Sequence, residues 1–368
     1  MNYLDFEDDI RILDQKIDSL KAPYISKGIT DIANPLVVEN EKKLNNLLDQ
    51  VYSHLTPYQI TKVARHDSRP RTKDYAKKIF TDFIPLAGDR MFAEDHSVIS
   101  GYGILDGVSV LIVGQEKGNN TESKIISNYG MNRPEGFRKI IRLMKDAERL
   151  NIPVITFIDT PGPYPTKGSE DRGQAESIAK LTEVSLDLKV PLIAVIIGEG
   201  SGNSANALAA ANKVLMLEYS MYSPISPEDC AELLWKNAKK VEEAAAALKI
   251  SAKDLLDNKI IDEIILEPRG GAHRDHEAAA INLALSIKKN LKELILMTPD
   301  ELVYQRKNRF LSIGKDVLLP KEEFYMENIE NRIQYQPFNW KLLFQNNIKL
   351  IYTIIAIVVL FILALIFS

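Results

Sequence analysis

The chain has 368 residues, 45% of them apolar and 26% charged, with a formal net charge of −4. That balance is ordinary for a globular protein, and it disfavours nucleic acid as the main partner, a role that calls for a basic surface. A single cysteine, Cys230, excludes an internal disulfide and a cysteine-built zinc site, and the five histidines show no metal-ligand spacing. The start, Met1-Asn2-Tyr3-Leu4-Asp5, lacks the basic-then-apolar pattern of a signal peptide.

In chain order, Phe6, Ile10, Leu13, Ile17 and Leu20 recur every three to four residues, as do Leu44, Leu47, Leu48, Val51 and Leu55. This spacing predicts two amphipathic helices within residues 1–60, joined by the polar stretch 27–35. Lys62, Arg65, Arg69, Arg71, Lys73, Lys77 and Lys78 follow, with Asp67, Asp74 and Asp82 among them. The mixture reads first as a solvated or subunit-facing surface, and second as a place for a ligand's phosphates.

Short β-branched runs come next, at 109–113, 154–158, 192–197, 214–217 and 260–265, with helical patterns between most of them. The clearest helix is 135–150, where Phe137, Ile140, Ile141, Met144, Ala147 and Leu150 share one face, with Pro134 at its first turn and Pro153 beyond its end. Strands alternating with helices predict an α/β domain with parallel strands covered by helices. Residues 300–347 lose this rhythm. Residues 350–367 are apolar except for Tyr352 and Thr353, follow Lys341 and Lys349, and carry no charge. Roughly 18 such residues suffice to cross a bilayer, and positive flanks stay on the cytoplasmic side. The expectation is a single-pass anchor holding the globular part on the cytoplasmic face of a membrane.

Three Gly/Pro-rich elements follow predicted strands. The first is Gly198-Glu199-Gly200-Ser201-Gly202-Asn203-Ser204, which leads into a small-residue helix. Such a turn gathers backbone N–H groups at a helix start, where a negative oxygen or phosphate can be held; a plain strand-to-helix turn is the alternative. Gly198-x-Gly200 with Glu218 imitates a dinucleotide fingerprint, but Asn203 replaces the third glycine. No Gly-x-Ser-x-Gly elbow is present, so Ser201 and Ser204 are poor nucleophiles. The second element, Asp159-Thr160-Pro161-Gly162-Pro163-Tyr164-Pro165, suits a pocket wall. The third, Glu267-Pro268-Arg269-Gly270-Gly271-Ala272-His273-Arg274, suits either an anion contact or a surface turn.

Phe157-Ile158-Asp159-Thr160-Pro161-Gly162, Tyr164-Pro165 and Arg172-Gly173-Gln174 together resemble the alpha subunit of bacterial and plastid acetyl-CoA carboxylase carboxyltransferase. So do Leu86-Ala87-Gly88-Asp89-Arg90, Asn128-Tyr129-Gly130-Met131 with Pro134-Glu135-Gly136, Tyr222-Ser223 with Ile225-Ser226-Pro227-Glu228, and Gly270-Gly271-Ala272-His273, in the same order and at similar spacing. The resemblance implies a crotonase (ClpP)-like spiral of β-β-α units over residues 61–315, after an N-terminal helical hairpin (1–60) and before a linker (316–347) and a transmembrane tail (348–368). It implies a beta subunit carrying a zinc ribbon, an α2β2 assembly, a biotin carboxyl carrier protein, biotin carboxylase, and no metal in this chain. Carboxybiotin on the carrier gives its carboxyl group to acetyl-CoA, forming malonyl-CoA for fatty acid synthesis.

By the same resemblance, backbone N–H groups of the first turn would hold the biotin oxygen as charge develops on it. The catalytic donors are then Gly202, Asn203 and Ser204, and the substrate-binding residues Gly162, Tyr164, Gly200, Ser201, Gly270, Gly271 and His273. The family's usual Gly-Glu-Gly-Gly-Ser-Gly-Gly-Ala-Leu departs here to Ser201, Asn203, Ser204 and Asn206, so the paired oxyanion positions fall on Asn203 and Ser204, or with a gap on Gly202 and Asn203. Pro163 and Asp229 are further departures. Two other readings follow: a catalytically impaired paralogue acting as a membrane scaffold, and the carboxyltransferase of a membrane-bound acyl-CoA decarboxylase.

Overall fold

The computed structural model describes residues 2–29 and 32–314. Its centre is an eight-stranded sheet: β1 (Thr81–Pro85), β2 (Val98–Leu105), β3 (Val108–Gln115), β4 (Val154–Thr160), β5 (Leu192–Ser201), β6 (Lys213–Leu217), β7 (Met221–Ser223) and β8 (Glu263–Ile265). The order is β1-β2-β3-β4-β5-β6-β8, with β7 paired to β5 off this path. β3 to β6 and β8 run parallel, while β1 and β2 are antiparallel additions at one edge.

Period-two alternation distributes the central strands between two cores. Leu111, Val113, Val154, Ile158, Leu192, Ala194, Ile196, Val214 and Met216 face one side, under the helices Pro134–Arg149 and Gln174–Asp187. Val110, Ile112, Ile155, Phe157, Ile193, Val195, Ile197 and Leu215 face the other, under the helix His276–Ile295. Burial on both faces explains why these strands read as continuous apolar runs. Each fully buried Leu, Ile or Phe stabilises the fold by about 1.5–3 kcal/mol. The helix Pro134–Arg149 starts at its proline and buries Phe137, Ile140, Leu143, Met144 and Ala147.

β5 changes partners midway. Ile193 to Ile196 pair with β6, whereas Glu199 to Ser201 pair with β7. On its other side β5 follows β4 in register from Val154↔Leu192 to Ile158↔Ile196, then slips, so that the next pair is Thr160↔Gly200. The Gly198–Ser204 turn thus grows from a strand whose end is gripped by different neighbours from its beginning.

Residues near the N-terminus form the helices Asp8–Ile25 and Pro35–Tyr52, whose Ile10, Leu48 and Tyr52 cluster with Val63. In the 260–265 run only Glu263–Ile265 is strand, because the Ile260 N–H turns back to the Leu255 carbonyl at 2.8 Å. Pro299–Ser312, in the stretch that lost its rhythm, is a helix started by a Thr298/Glu301 capping box. Its Arg306 is buried beneath it, donating to the carbonyls of Ser185 (2.8 Å), Leu188 (2.6 Å) and Val190 (3.0 Å).

The membrane localisation is a correction. No helix among the described residues is long and apolar enough to cross a membrane. The stretch 350–367, on which the expected anchor rested, lies outside them, as do the linker and tail at 316–368. The expectation rested on the uncharged apolar length of that stretch and on the flanking Lys341 and Lys349.

Candidate functional site

The Gly198–Ser204 turn ends β5 and opens the helix Gly202–Leu208. Gly202 has φ +72, the left-handed region that favours glycine. Neither Asn203 nor Ser204 has a positive φ, so the two substitutions within the turn sit on unstrained backbone. The N–H groups of Gly202, Asn203 and Ser204 belong to the first helical turn, which has no intrahelical acceptor for them, and the Ser201 side chain makes no capping bond. The hydroxyls of Ser201 and Ser204 are buried and have no hydrogen-bond partner among the described residues.

The loop after β4 meets this turn. Gly162 has φ +144, and a methyl group on Gly202 would lie 3.7 Å from Gly162 Cα and Pro163 Cδ. The Thr160 hydroxyl fixes the bend, accepting from Gly162 N at 3.1 Å and donating to Gly162 O at 2.9 Å. Beyond it opens a cleft of about 630 Å³, lined by Pro163, Tyr164, Lys167, Gln174, Ile178 and Asn203 among others. The Asn132 carbonyl anchors its wall, accepting from Tyr164 N at 3.0 Å and Gln174 Nε2 at 2.9 Å. Tyr222 packs against the strand end below the turn: its ring is 3.1 Å from where a Gly200 side chain would start, and its hydroxyl donates to Asn206 Oδ1 at 2.8 Å.

Beneath the turn lies a buried ionic group. Asp159 Oδ1 accepts from Glu199 N at 3.0 Å and from Lys117 Nζ at 3.0 Å, and its Oδ2 accepts from Arg71 Nη1 at 2.9 Å. Lys117 also donates to Glu199 Oε2 at 2.7 Å, while Arg65 reaches Glu199 Oε1 at 2.7 Å and Glu228 Oε1 at 2.7 Å. Burial pushes both carboxyls up, but Lys117 with Arg71 holds Asp159, and Lys117 with Arg65 holds Glu199, below the usual range. Both therefore stay ionised.

The structure thus places Gly162, Tyr164, Gly200, Ser201, Gly202, Asn203 and Ser204 on two adjoining segments, the loop after β4 and the end of β5 with its turn, of which Tyr164 and Asn203 line the cleft. Gly270, Gly271 and His273 lie elsewhere. Side chains added at Gly270 and Gly271 would meet Leu48 and Val63 of the N-terminal cluster, and His273 stacks on His66 with ring centroids 4.0 Å apart. Arg69 stands between that loop and the turn, joining Glu267 to the Ile197 carbonyl. The 62–78 stretch also differs from a solvated face: Arg69 and Arg71 are buried, because acidic partners await them under the strand ends. Lys117, Gln115 and Asn132 were missed as site residues. Gln115 spans from Asn132 Oδ1 (2.6 Å) to Asp159 N (3.2 Å), a link visible only once β3 and β4 lie side by side.

Comparison with known proteins adds four findings. A family described as acetyl co-enzyme A carboxylase carboxyltransferase-like matches residues 3–314. The acetyl-coenzyme A carboxylase carboxyl transferase subunit alpha of Pelagibacter ubique is 52% identical over 314 residues, covering 85% of this chain and 85% of that protein. The subunit of the same name from Cereibacter sphaeroides is 47% identical over 319 residues, covering 85% and 98%. Among solved structures, transcarboxylase 12S with methylmalonyl-coenzyme A and methylmalonic acid bound matches with a TM-score of 0.51 at 18% identity. That match covers 62% of this chain and 42% of the other, a likeness of fold.

Proposed function

The chain belongs to the acetyl-CoA carboxylase carboxyltransferase family, in its alpha-subunit branch, and from that membership we propose how its site works. It is the alpha part of a biotin-dependent carboxyltransferase that moves a carboxyl group to acetyl-CoA, giving malonyl-CoA, together with a beta subunit. The observation that carries the site assignment is the meeting of an uncapped helix start at Gly202 with the Gly162 loop at the mouth of the cleft.

Carboxybiotin, brought by a separate carrier protein, supplies the activated carboxyl group and a ureido oxygen on which negative charge develops. The cleft fits such a group: its walls are apolar where Pro163, Ala175 and Ile178 line it, and the uncapped helix start reaches it at Asn203. The N–H groups of Gly202, Asn203 and Ser204 would hold that oxygen. Preorganised donors of this kind lower a barrier by about 3 kcal/mol each. Tyr164 and Asn203 orient the ring at the entrance, and Gly162, with no side chain, leaves room for its approach. Gly200 and Ser201 hold the turn to β7. Gly270, Gly271 and His273 support the site from behind, through Arg69.

The remaining partners are a zinc-ribbon beta chain, biotin carboxylase and an α2β2 assembly. The switch of β5 from β6 to β7 supports the spiral of β-β-α units. The unstrained Asn203 and Ser204 favour an active enzyme over an impaired paralogue.

The deciding experiment reconstitutes the full chain with its beta-type partner and follows acetyl-CoA release from malonyl-CoA with free biotin as acceptor. Steady release dependent on both chains and on biotin is expected. An assembled complex that binds malonyl-CoA yet releases none would refute the assignment.

A further inference from the structure

The β4–β5 ladder fails where the site begins. After Ile158↔Ile196 the next paired residues are Thr160 and Gly200, so β5 has two more residues than β4 in that interval. In the gap the Glu199 N–H finds the Asp159 side chain instead of a ladder carbonyl. The space is tight, since a methyl group on Gly198 would fall 2.6 Å from Asp159 Oδ1. Side-chain charge therefore joins backbone pairing to β7 in setting how the turn stands on the sheet.

We propose that Lys117 is a positioning residue for carboxyl transfer, its ammonium locking the Gly162 loop to the Gly202 turn through Asp159 and Glu199. The inference rests on the carboxyl-transfer reading above. Lys117 follows the end of β3, is 11% exposed at its side chain, and is the one described group bonded to both carboxylates by its charge. Its stem is roofed by Gly130, where a methyl group would lie 2.7 Å from Lys117 Cγ and 2.8 Å from the Asp159 carbonyl. Asn128, Tyr129 and Gly130 all have positive φ (46, 55 and 81), a costly backbone run that the fold sustains directly over the lysine.

The charges around the two carboxylates nearly balance. Arg71 faces Asp159, Arg65 faces Glu199 and Glu228, Arg69 lies behind with Glu267, and Glu116 is a further buried acid nearby. Without Lys117, Asp159 and Glu199 stand side by side with one cation fewer. When both are ionised they repel and the turn lifts. When one takes up a proton it can donate to the other, and the lock closes again.

The test uses the full chain assembled with its beta partner and compares Lys117→Met, Lys117→Arg and the double variant Lys117→Met/Glu199→Gln in the malonyl-CoA and biotin assay. For Lys117→Met at about pH 8, kcat should fall about a hundredfold, with KM for malonyl-CoA within about twofold. At about pH 6 the deficit should shrink about tenfold, a leg absent from the wild-type profile. Lys117→Arg should recover most of kcat, and the double variant should exceed Lys117→Met at about pH 8 and lose the added pH dependence. A deficit equal at both pH values, a loss confined to KM, or kcat within about twofold of wild type overturns the proposal. If Lys117→Met does not fold, a double variant that folds and transfers supports it, and one that fails equally overturns it. Inactive wild type would remove the carboxyl-transfer reading together with this inference; active wild type with a pH-independent variant removes this inference alone.

Discussion

Arg69 and Glu267 form an ion pair with no side-chain exposure, Nη1 lying 2.8 Å from Oε2. Arg69 Nε also donates to the Ile197 carbonyl at 2.8 Å, and Glu267 accepts from Tyr219 N at 2.9 Å. The pair thus ties the loop after β8 to the β5 end from which the Gly198–Ser204 turn springs. A buried pair of this kind adds little net stability over apolar residues of equal volume, but half of it is harmful.

Arg69→Met should destabilise the protein by about 3–5 kcal/mol, and Arg69→Met/Glu267→Leu by distinctly less, because the double variant leaves no uncompensated buried charge. Denaturant unfolding of the three proteins measures both differences. Equal losses in the single and double variants would mean that packing, and not charge, is what the pair provides.

His273 gives the fold an acid-sensitive point. Burial, then the neighbouring His66, Arg69 and Arg274, depress its imidazole to about 2, and both ring nitrogens lack a partner among the described residues. The unfolded imidazole binds a proton near 6.5. Between those values the unfolded chain holds more protons, so stability falls as pH drops below about 6.5 and His273 contributes no pH dependence above it. His273→Phe should remove this component: the stability difference between wild type and variant should move against wild type by about 2 kcal/mol from about pH 7 to about pH 5. Unfolding midpoints at the two pH values decide it; parallel losses in both proteins would contradict it.

Within the turn, glycine is required at one place and not at its neighbours. Gly202→Ala forces a side chain into φ +72, at about 1–2 kcal/mol, and lowers kcat by about tenfold or more as the first donor tilts. Asn203→Gly relieves no strain and loses about 0.5 kcal/mol of helix propensity, so kcat should stay within about threefold of wild type. The carboxyl-transfer assay on both variants checks the contrast, and a large gain from Asn203→Gly would show that the amide side chain obstructs the cleft.

Much of the architecture could be read from local pattern. The runs at 109–113, 154–158, 192–197 and 214–217 became β3 to β6 because strands buried on both faces must be apolar throughout. β2 went unread although Asp106-Gly107, with φ of 53 and 81, is a strong hairpin signal just after it. The cleft's loops were legible for the same local reason: Gly and Pro mark them. The charges beneath were not. Arg71 meets Asp159 across 88 residues, Lys117 meets Glu199 across 82, and Arg69 meets Glu267 across 198. A charge whose partner is that distant looks like a solvated one until the chain is folded.

The partner change along β5 has a consequence for how this protein can vary. A strand answering to β6 at one end and β7 at the other works as a ruler: its residue count, from Leu192 to Ser201, sets where the donors stand. Swapping letters within the turn, as Ser201, Asn203 and Ser204 do, leaves that ruler unaltered. Deleting one residue from it would turn every later side chain to the opposite face and carry the donors away from the cleft. Spelling is free here to a degree that length is not.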